Sequence, residues 1–493
     1  MRQVRGRLTV LSGMSGEFRP YLLLASVVLI AGCDTAGPDS PGPPGPIALP
    51  PLEVAAPLPP AATDAPMGAL DASLFGAVPG QDGRAAIQAA LDAAGPGGIV
   101  TVPPATLPYL LSAISPNPFR SDGQYALRIP GGVTLHVAAG ATLELAAGQQ
   151  TDAAGPVDLI IFDGDDVTVT GGGAIRGNTA GQAGWSSGYH QVDAGCLIRS
   201  WRPGRRAAIS DLYLSDAFSN PVNLESDGPV RLARLRTSSV GEGAQVIGAS
   251  GVVVEDIEHD DLANVSEGDG LEVSVVDGFT IRRIRVTGGT SGGGGSGIDV
   301  FGSRNGSVTD VEVTGWAWGI DVHDYPSPSD TFVTDNVTIR RARFRAIAAT
   351  AIVSGADQRG HVRYADIDAE GDDVGVQVFG PAGLPPLLID SLRITGFAAG
   401  VLLYGSRDLR INRGWTRRAD PLDGVLVENR SGDDAPRLQL RDFSATEAMR
   451  YGLRVEAPGL VLRIEGGDFS GNGAGPYFGL PESATVIGVT PPP

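Results

Sequence analysis

The sequence predicts an all-β solenoid of the parallel β-helix type. Two observations lead to this prediction. Glycine is abundant, at 70 of 493 residues, which favours turns and strands over helices. A four-residue element, in which a small residue precedes an apolar, a variable and an apolar residue, also recurs at intervals of 22 to 31 residues. Its copies begin at Pro221, Gly243, Gly270, Gly297, Gly319, Thr350, Gly375, Gly400, Gly424 and Gly452. Periods of this length are typical of solenoid proteins.

Side-chain direction in each copy follows from the period of a β-strand. Alternation at period two sends the second and fourth places inward and the third place outward. The third places are Asn223, Gln245, Glu272, Asp299, Asp321, Ile352, Gln377, Leu402, Leu426 and Arg454. A second outward column follows two residues later, with Glu225, Ile247, Ser274, Phe301, His323, Ser354, Phe379, Tyr404, Glu428 and Glu456. The long period disfavours a propeller or sandwich, which would need tight hairpin turns at short spacing.

The predicted folded part begins with three sequence features in a fixed order. Phe75-Gly76-Ala77 is followed by the alanine-rich segment 84–94, which reads as a short helix stopped by glycines and a proline, and then by the strand 99–102. This order resembles the opening of the pectate-lyase-like superfamily. The resemblance implies a single-stranded right-handed parallel β-helix whose first coil is covered by a capping helix, since an uncovered coil would expose core and strand edges.

Composition divides the chain into four regions. Residues 1–32 carry arginines and then a short apolar run, as in a signal peptide, and Ile30-Ala31-Gly32-Cys33 resembles a bacterial lipoprotein signal that leaves Cys33 lipidated. Residues 33–68 are rich in proline, alanine and glycine and read as a semi-rigid tether. The β-helix is predicted over 69–475, and 476–493 is predicted to be a C-terminal tail.

Charge and targeting limit the expected partners. The formal charge is -19, and the sequence contains no lysine, so a nucleic-acid partner is disfavoured. Lipidation at Cys33 implies a protein exported across the inner membrane and anchored in the bacterial cell envelope, with contact to the membrane through the lipid alone. The remaining cysteine, Cys196, is expected to be a buried small side chain.

Three carboxylates follow one another in the first outward column. Glu272, Asp299 and Asp321 fall on consecutive coils, and His323 stands beside Asp321 in the second column. Parallel coils stack about 4.8 Å apart, so these groups are predicted to be close neighbours whose pKa values shift. The cluster is therefore a candidate catalytic site; it also leaves open a calcium site at the three carboxylates, or an ordinary solvated face.

Other side chains near this column are candidates for substrate contact. Phe301, Phe379 and Tyr404 form a line of outward aromatics of the kind that stacks on sugar rings, and Arg304 could neutralise a substrate carboxylate. The other histidines are expected to be structural or merely exposed; they are His136, His190, His259 and His361.

The segment from Trp318 to Asp324, Trp-Gly-Ile-Asp-Val-His-Asp, resembles the Tyr-Gly-Phe-Asp-Pro-His-Asp signature of mannuronan C5-epimerases, which share the predicted fold. The resemblance implies that Asp321 and His323 flank the sugar C5 and that Asp324 belongs to the same substrate site. Trp318 stands where the family has its proton-exchanging tyrosine, and an indole cannot exchange a proton as a phenol does.

Three functional hypotheses follow from these residues. The first, which the sequence favours over the other two, is an enzyme acting on a uronate polysaccharide, an epimerase or lyase that abstracts the C5 proton with His323. The second is a glycoside hydrolase that uses two of Glu272, Asp299 and Asp321, for which the carboxyl separation decides the stereochemistry. The third is a non-catalytic surface protein that binds a glycan or another partner. The first two hypotheses require a polysaccharide substrate. In the third, a polysaccharide is one candidate partner.

Overall fold

The computed structural model describes residues 66–185, 195–200, 206–260, 268–288, 295–326, 331–355, 358–428 and 436–491. Across these ranges the chain forms the predicted right-handed parallel β-helix, in which each coil adds one strand to each face of the solenoid. The helix Arg84–Ala94 covers the N-terminal end and buries Ile87, Ala90 and Leu91, as the sequence predicts. Two short 3-10 helices complete the helical content of the described residues, Ala72–Phe75 and Thr179–Gly181.

One face of the solenoid is a 14-stranded parallel sheet in the described residues, and it carries the recurring four-residue elements. We call its outer surface the wall. The strands are Gln124–Ile129, Val157–Phe162, Ile198–Ser200, Val222–Glu225, Ala244–Ile247, Leu271–Ser274, Ser296–Phe301, Trp318–His323, Thr350–Ser354, Val374–Gly380, Ala399–Gly405, Val425–Glu428, Tyr451–Glu456 and Gly475–Phe478.

The other faces belong to a continuous sheet of 22 described strands. They are Leu70–Asp71, Ile99–Val102, Tyr109–Leu111, Thr134–Val137, Thr142–Leu145, Val167–Thr170, Ala174–Arg176, Ala207–Ala217, Val230–Val240, Ser250–Asp260, Asp277–Thr287, Arg304–Thr314, Asp335–Ile347, Val362–Gly371, Leu387–Ile389, Leu392–Thr395, Leu409–Ile411, Gly414–Arg417, Arg437–Arg441, Phe443–Thr446, Val461–Asp468 and Thr485–Thr490. Tyr325–Pro326 and Thr331–Phe332 pair with each other in an antiparallel two-stranded sheet beside the wall.

The long strands of the second sheet share one position at which the backbone bends, and the residues at this position stack into a corner with alternating charge. Each bend has a φ between 50° and 60°, which is uncommon for a residue with a Cβ; the stacked residues are Asp211, Arg234, Asp256, Arg283, Asp310, Arg341 and Asp366. Ion pairs join Asp211 to Arg234 (2.5 Å), Asp256 to Arg283 (2.7 Å) and Asp310 to Arg341 (2.5 Å). These pairs offset part of the backbone cost and favour one stacking register.

Close packing between coils explains why glycine opens so many of the repeated elements. A Cβ added to Gly243 would lie 1.7 Å from the carbonyl oxygen of Gly270, and one added to Gly375 would lie 2.5 Å from that of Gly400. No side chain can be placed at such distances from backbone. The small first place of the repeat is therefore a requirement of coil stacking, while the inward second and fourth places supply the core.

Three features differ from the expected organisation or lie outside the described ranges. The β-helix continues past the predicted end at residue 475, because Gly475–Phe478 and Thr485–Thr490 pair in parallel with the preceding coils. The predicted signal peptide, Cys33 and all but the last residues of the predicted tether lie outside the described residues. His190 also lies outside them. Among the described helices none is long and apolar enough to span a bilayer.

The predicted outward columns contain one register error, on the coil that begins at Thr350. The register places Ile352 opposite Ile320 and Val376, both inward, and Val353 opposite Asp321 and Gln377. Ile352 is therefore a core residue, and Val353 takes its place in the first outward column. Ser354 likewise points inward and is buried, so the second outward column continues through Gly355. Because the inserted segment before this strand is longer than in other coils, the sequence period alone misplaced it by one residue.

Candidate functional site

The predicted acidic residues stand side by side on the wall. Register pairs place Glu272 opposite Asp299 and Asp299 opposite Asp321, on three consecutive coils. In the next column, Phe301 lies opposite His323. The structure therefore brings together the four residues that the sequence selects as catalytic candidates, with Phe301 beside them.

Glu272 is held by a chain of donors that runs along the first outward column. Asn223 Nδ2 donates to Gln245 Oε1 at 2.6 Å, and Gln245 Nε2 donates to Glu272 Oε2 at 2.6 Å. Ser274 Oγ donates to Glu272 Oε1. Burial, together with the neighbouring Asp299 carboxylate, raises the pKa of Glu272 to about 7. Glu272 can therefore carry a proton close to neutral pH, which an exposed glutamate cannot do.

Asp299 faces His323 on the next coil. His323 Nε2 lies 3.2 Å from Asp299 Oδ1 and 3.4 Å from Oδ2. Asp299 is only 8% exposed, and its Oδ1 has no well-aligned hydrogen-bond donor in the described part of the chain. The ring of His323 stacks on Phe301, with centroids 4.1 Å apart, and Tyr325 packs against Phe301 at 4.6 Å. Stacking fixes the imidazole plane, so the histidine is oriented toward Asp299.

Two further carboxylates belong to this cluster, and sequence reasoning missed both. Asp269 and Glu242 directly precede the repeat glycines Gly270 and Gly243, at the turn into the wall. Asp269 Oδ1 accepts a hydrogen bond from the Ser296 N–H at 2.7 Å. Burial first, and then the Asp299 and Glu272 charges, raise the pKa of Asp269 well above its usual range. Burial likewise raises the pKa of Glu242. Their position, one residue before the glycine that opens the repeated element, is the sequence signal that could have identified both.

The raised pKa of Glu272 predicts how stability depends on pH. The folded state keeps a proton on Glu272 that the unfolded state, with an ordinary value of 4.5, has already released. The associated stability is therefore fully present below about pH 4.5 and is lost as the pH rises through about 7. In denaturant titrations between these pH values, Glu272→Gln is expected to show a smaller fall in unfolding free energy than the wild type. Equal slopes for the two proteins would contradict the assigned pKa.

Two residues that the sequence assigns to substrate binding have other contacts. Asp324 is buried and accepts hydrogen bonds from Thr334 N–H (2.8 Å), from Arg359 N–H (3.2 Å) and from Arg359 Nε (2.8 Å). It ties three loop segments together, and we assign it a structural role. Arg304 opens a strand of the second sheet, outside the wall, and pairs with Asp277 at 2.9 Å. Neither side chain is placed to contact a ligand at Asp299.

The predicted aromatic line is a set of rings stacked on one another. Phe379 and Tyr404 have centroids 5.1 Å apart and planes 10° from parallel, and Gln377 Nε2 donates to the Tyr404 hydroxyl at 3.2 Å. The rings thus face along the solenoid axis, as the Phe301 and His323 rings do. The ring edges of these stacks, and not their faces, therefore point away from the wall.

A buried ion pair ends the first outward column on its N-terminal side. Arg199 lies opposite Asn223 in the register, and its Nε is 2.9 Å from Asp158 Oδ1. Both side chains are almost fully buried. Asp158 also accepts hydrogen bonds from Asn117 Nδ2 at 2.8 Å and from the Cys196 N–H at 3.0 Å. The thiol of Cys196 is buried and free, as expected, and burial raises its pKa to about 11.

The remaining described histidines have structural environments. His259 is buried against Thr237, with Nδ1 at 2.6 Å from the hydroxyl, and burial lowers its pKa to about 4. His136 is buried in the second sheet, and His361 is exposed and pairs with Asp335. Within the described ranges, no group of three or more His, Cys, Asp or Glu side chains is arranged to hold a metal ion. The acidic cluster therefore lacks the geometry of a calcium site as it stands.

Comparison of the sequence with protein-family models and with curated proteins gives no match. Among solved structures, a mutant tailspike protein of E. coli bacteriophage HK620 in complex with a pentasaccharide has a TM-score of 0.51 at 11% identity, over 86% of this chain and 78% of that chain. The Azotobacter vinelandii mannuronan C-5 epimerase AlgE6 A-module has a TM-score of 0.49 at 17% identity, over 86% and 100% of the two chains. A family 28 exopolygalacturonase of Yersinia enterocolitica has a TM-score of 0.42 at 13% identity, over 86% and 78%. At such identities the similarity is one of fold, and the tailspike protein supports the assignment of this chain to the parallel β-helix proteins.

Proposed function

We propose that this chain is a polysaccharide-active enzyme that hydrolyses glycosidic bonds in a glycan without acidic sugars. Glu272 is the general acid, and Asp299, oriented by His323, is the second carboxylate. The hydrolase was one of the three hypotheses left open by the sequence, and the site geometry favours it over C5 proton abstraction.

The observation that carries the proposal is the contrast between two neighbouring carboxyl groups. Burial first, and then the neighbouring Asp299 charge, raise the pKa of Glu272 to about 7, although the hydrogen bonds from Ser274 and Gln245 act in the opposite direction. Asp299 lies beside the imidazole of His323. Two carboxyl groups whose environments differ in this way are what glycosidic bond hydrolysis requires.

Coil spacing indicates the course of the reaction. Adjacent coils lie about 4.8 Å apart, close to the separation of about 5 to 5.5 Å used by retaining glycosidases. In the first step an Asp299 oxygen bonds to the sugar C1, the bond from C1 to the glycosidic oxygen breaks, and Glu272 gives its proton to that oxygen. In the second step water bonds to C1, Asp299 leaves, and the proton released by the water returns to Glu272.

The charge of the wall argues against a uronate substrate. From Asn223 to Gln377 in the first outward column, and from Glu225 to Phe379 in the second, the described positions hold no arginine, and the sequence has no lysine. A uronate carboxylate would meet Glu272, Asp299 and Asp321 with no arginine or lysine from these columns to neutralise it. Asp324, the last residue of the epimerase-like motif, is buried with Arg359. The tailspike protein of similar fold was solved in complex with a pentasaccharide, which supports a glycan ligand for a protein of this fold.

Product analysis tests this function directly. The full chain is incubated at pH 6 with neutral glucans, xylans and mannans and, separately, with alginate and pectate. We expect new reducing ends from a neutral polysaccharide, with the anomeric configuration retained in the first product seen by NMR. Unsaturated products or a changed uronate composition, without release of reducing ends from neutral glycans, would instead establish C5 chemistry and overturn the proposal.

A further inference from the structure

The two ends of the solenoid differ in how they are covered. At the N-terminal end the helix Arg84–Ala94 covers the first coil and buries its own apolar residues. At the C-terminal end the strand Thr485–Thr490 pairs in parallel with Val461–Asp468 on one side, and no other strand of the described residues pairs with its outer edge. The last coil therefore presents an open strand edge, which can serve as a template for pairing with another chain.

The side chains of this last coil are apolar and incompletely covered. Ile487 is 57% exposed and Phe478 is 45% exposed. Val486 and Val489 pack against the core but are only partly buried. A Cβ added to Gly488 would have no heavy atom of the described residues within 4 Å, so the space beside the strand is open there. The end of the core is thus an exposed apolar surface, of the kind that marks an interaction site.

The last strand lacks the residues that usually protect an open edge. Residues 485–490 read Thr-Val-Ile-Gly-Val-Thr, with no charged residue and no proline. Segments of about six residues with high β propensity and no charge are prone to uncontrolled strand addition. A specific partner that covers the edge would remove this hazard.

The sequence of the strand is suited to pairing with a second copy of itself. Read in reverse it is Thr-Val-Gly-Ile-Val-Thr, so only the two central residues exchange places. In an antiparallel pair about a two-fold axis at the centre of the strand, Thr485 lies opposite Thr490 of the partner subunit, and Val486 lies opposite Val489 of the partner subunit. Valines that face one core then meet valines that face the other, and each isoleucine meets a glycine.

Geometry and charge favour this pairing over a head-to-tail arrangement. A two-fold axis that keeps both cores on the same side of the shared sheet reverses the strand direction, which gives the antiparallel pair. In the preceding strand, Arg463 lies opposite Thr485 and Asp468 lies opposite Thr490. The paired threonines are therefore flanked by charges of opposite sign from the two copies. A head-to-tail contact would instead have to displace the helix Arg84–Ala94 from the first coil.

We propose that the strand Thr485–Thr490 is a self-association surface through which two copies of the chain form a tail-to-tail dimer. The second copy contributes the same strand, and the antiparallel junction joins the second sheets of both copies. The dimer is closed, because each copy has one such edge and the helix Arg84–Ala94 covers its other end. This inference does not depend on the proposed hydrolysis.

Sedimentation velocity of the full chain tests the surface. We expect the wild type to sediment as a dimer with a Kd below about 10 μM. The double variant Thr485→Lys/Thr490→Lys places lysines opposite each other at both ends of the pair and should raise this Kd at least about tenfold. Thr485→Lys/Thr490→Glu changes the same two positions but places opposite charges across the junction, so it should dimerise at least as tightly as the wild type.

Further variants separate this surface from other contacts. Leu74 is an 82% exposed apolar residue in the 3-10 helix Ala72–Phe75 at the other end, and Leu74→Lys should leave the Kd unchanged. Circular dichroism checks that each variant folds; Thr485 and Thr490 are both exposed, and Ile487→Lys is the substitute if the lysine pair prevents folding. A monomeric wild type, or a Kd that the disrupting variant leaves unchanged, would overturn the proposal. Equal weakening by the lysine–glutamate variant would overturn the antiparallel pairing on which it rests.

Discussion

Replacing Glu272 with glutamine is expected to lower kcat for polysaccharide hydrolysis by about 10²- to 10⁴-fold, the usual contribution of a general acid. The amide keeps the size of the side chain and can still accept a hydrogen bond from Gln245 or Ser274. It cannot give a proton to the glycosidic oxygen. Reducing-end release at saturating polysaccharide measures the change, and KM should move little because the contacts that bind the glycan are retained.

The pH profile gives a second readout of the same residue. In the wild type the acid form of Glu272 is lost as the pH rises through about 7, so the rate should fall on that side. Glu428→Gln is a matched control, since Glu428 also faces outward on the wall but lies beside Tyr404, six strands along the sheet from Glu272. Activity in Glu272→Gln equal to that of the Glu428→Gln control would remove Glu272 from the reaction.

Replacing Asp158 with alanine is expected to destabilise the protein by about 3–5 kcal/mol, the usual cost of removing one partner of a buried ion pair. Arg199 is 2% exposed and has its Nε 2.9 Å from Asp158, so its charge would remain in the interior without this carboxylate. The change also removes the acceptor used by Asn117 and by the Cys196 N–H. Chemical denaturation followed by circular dichroism measures the loss.

An exposed ion pair supplies the comparison for this variant. Asp166 pairs with Arg206 at 2.5 Å, but both side chains are largely exposed, and water screens such pairs. Asp166→Ala should therefore leave the unfolding midpoint almost unchanged. If Asp158→Ala also left the unfolding midpoint almost unchanged, the buried ion pair would not stabilise the N-terminal end of the first outward column. The stability of the wall would then have to come from its apolar interior.

The sequence contained most of the information needed for the architecture because the solenoid repeats one physical constraint many times. Glycine opens the elements at Gly243 and Gly375 because a Cβ there would meet the backbone of the next coil. Apolar residues alternate after it because one side of each strand faces the core. The helix Arg84–Ala94 was also predictable, since its apolar residues fall on one face and Gly95 ends it.

The acidic column was predictable for the same reason, since Glu272, Asp299 and Asp321 occupy one place of a regular repeat. Residues in irregular segments were not. The register error that put Ile352 outward in place of Val353 followed an insertion, and Asp269 joins the cluster from a turn that the repeat does not describe. The roles of Asp324 and Arg304 depend on ion-pair partners far away in the sequence, Arg359 and Asp277 respectively.

By itself, the sequence determined the coil, its inward and outward faces and the order of the acids along the wall, because each of these depends on local periodicity. Only the tertiary structure decided which carboxylates share an environment and which arginines are already paired. Those properties depend on distances between coils and on segments that return to the wall from elsewhere. They turn a column of acids into a cluster in which Glu272, whose pKa is raised to about 7, lies beside Asp299, and Asp299 faces His323.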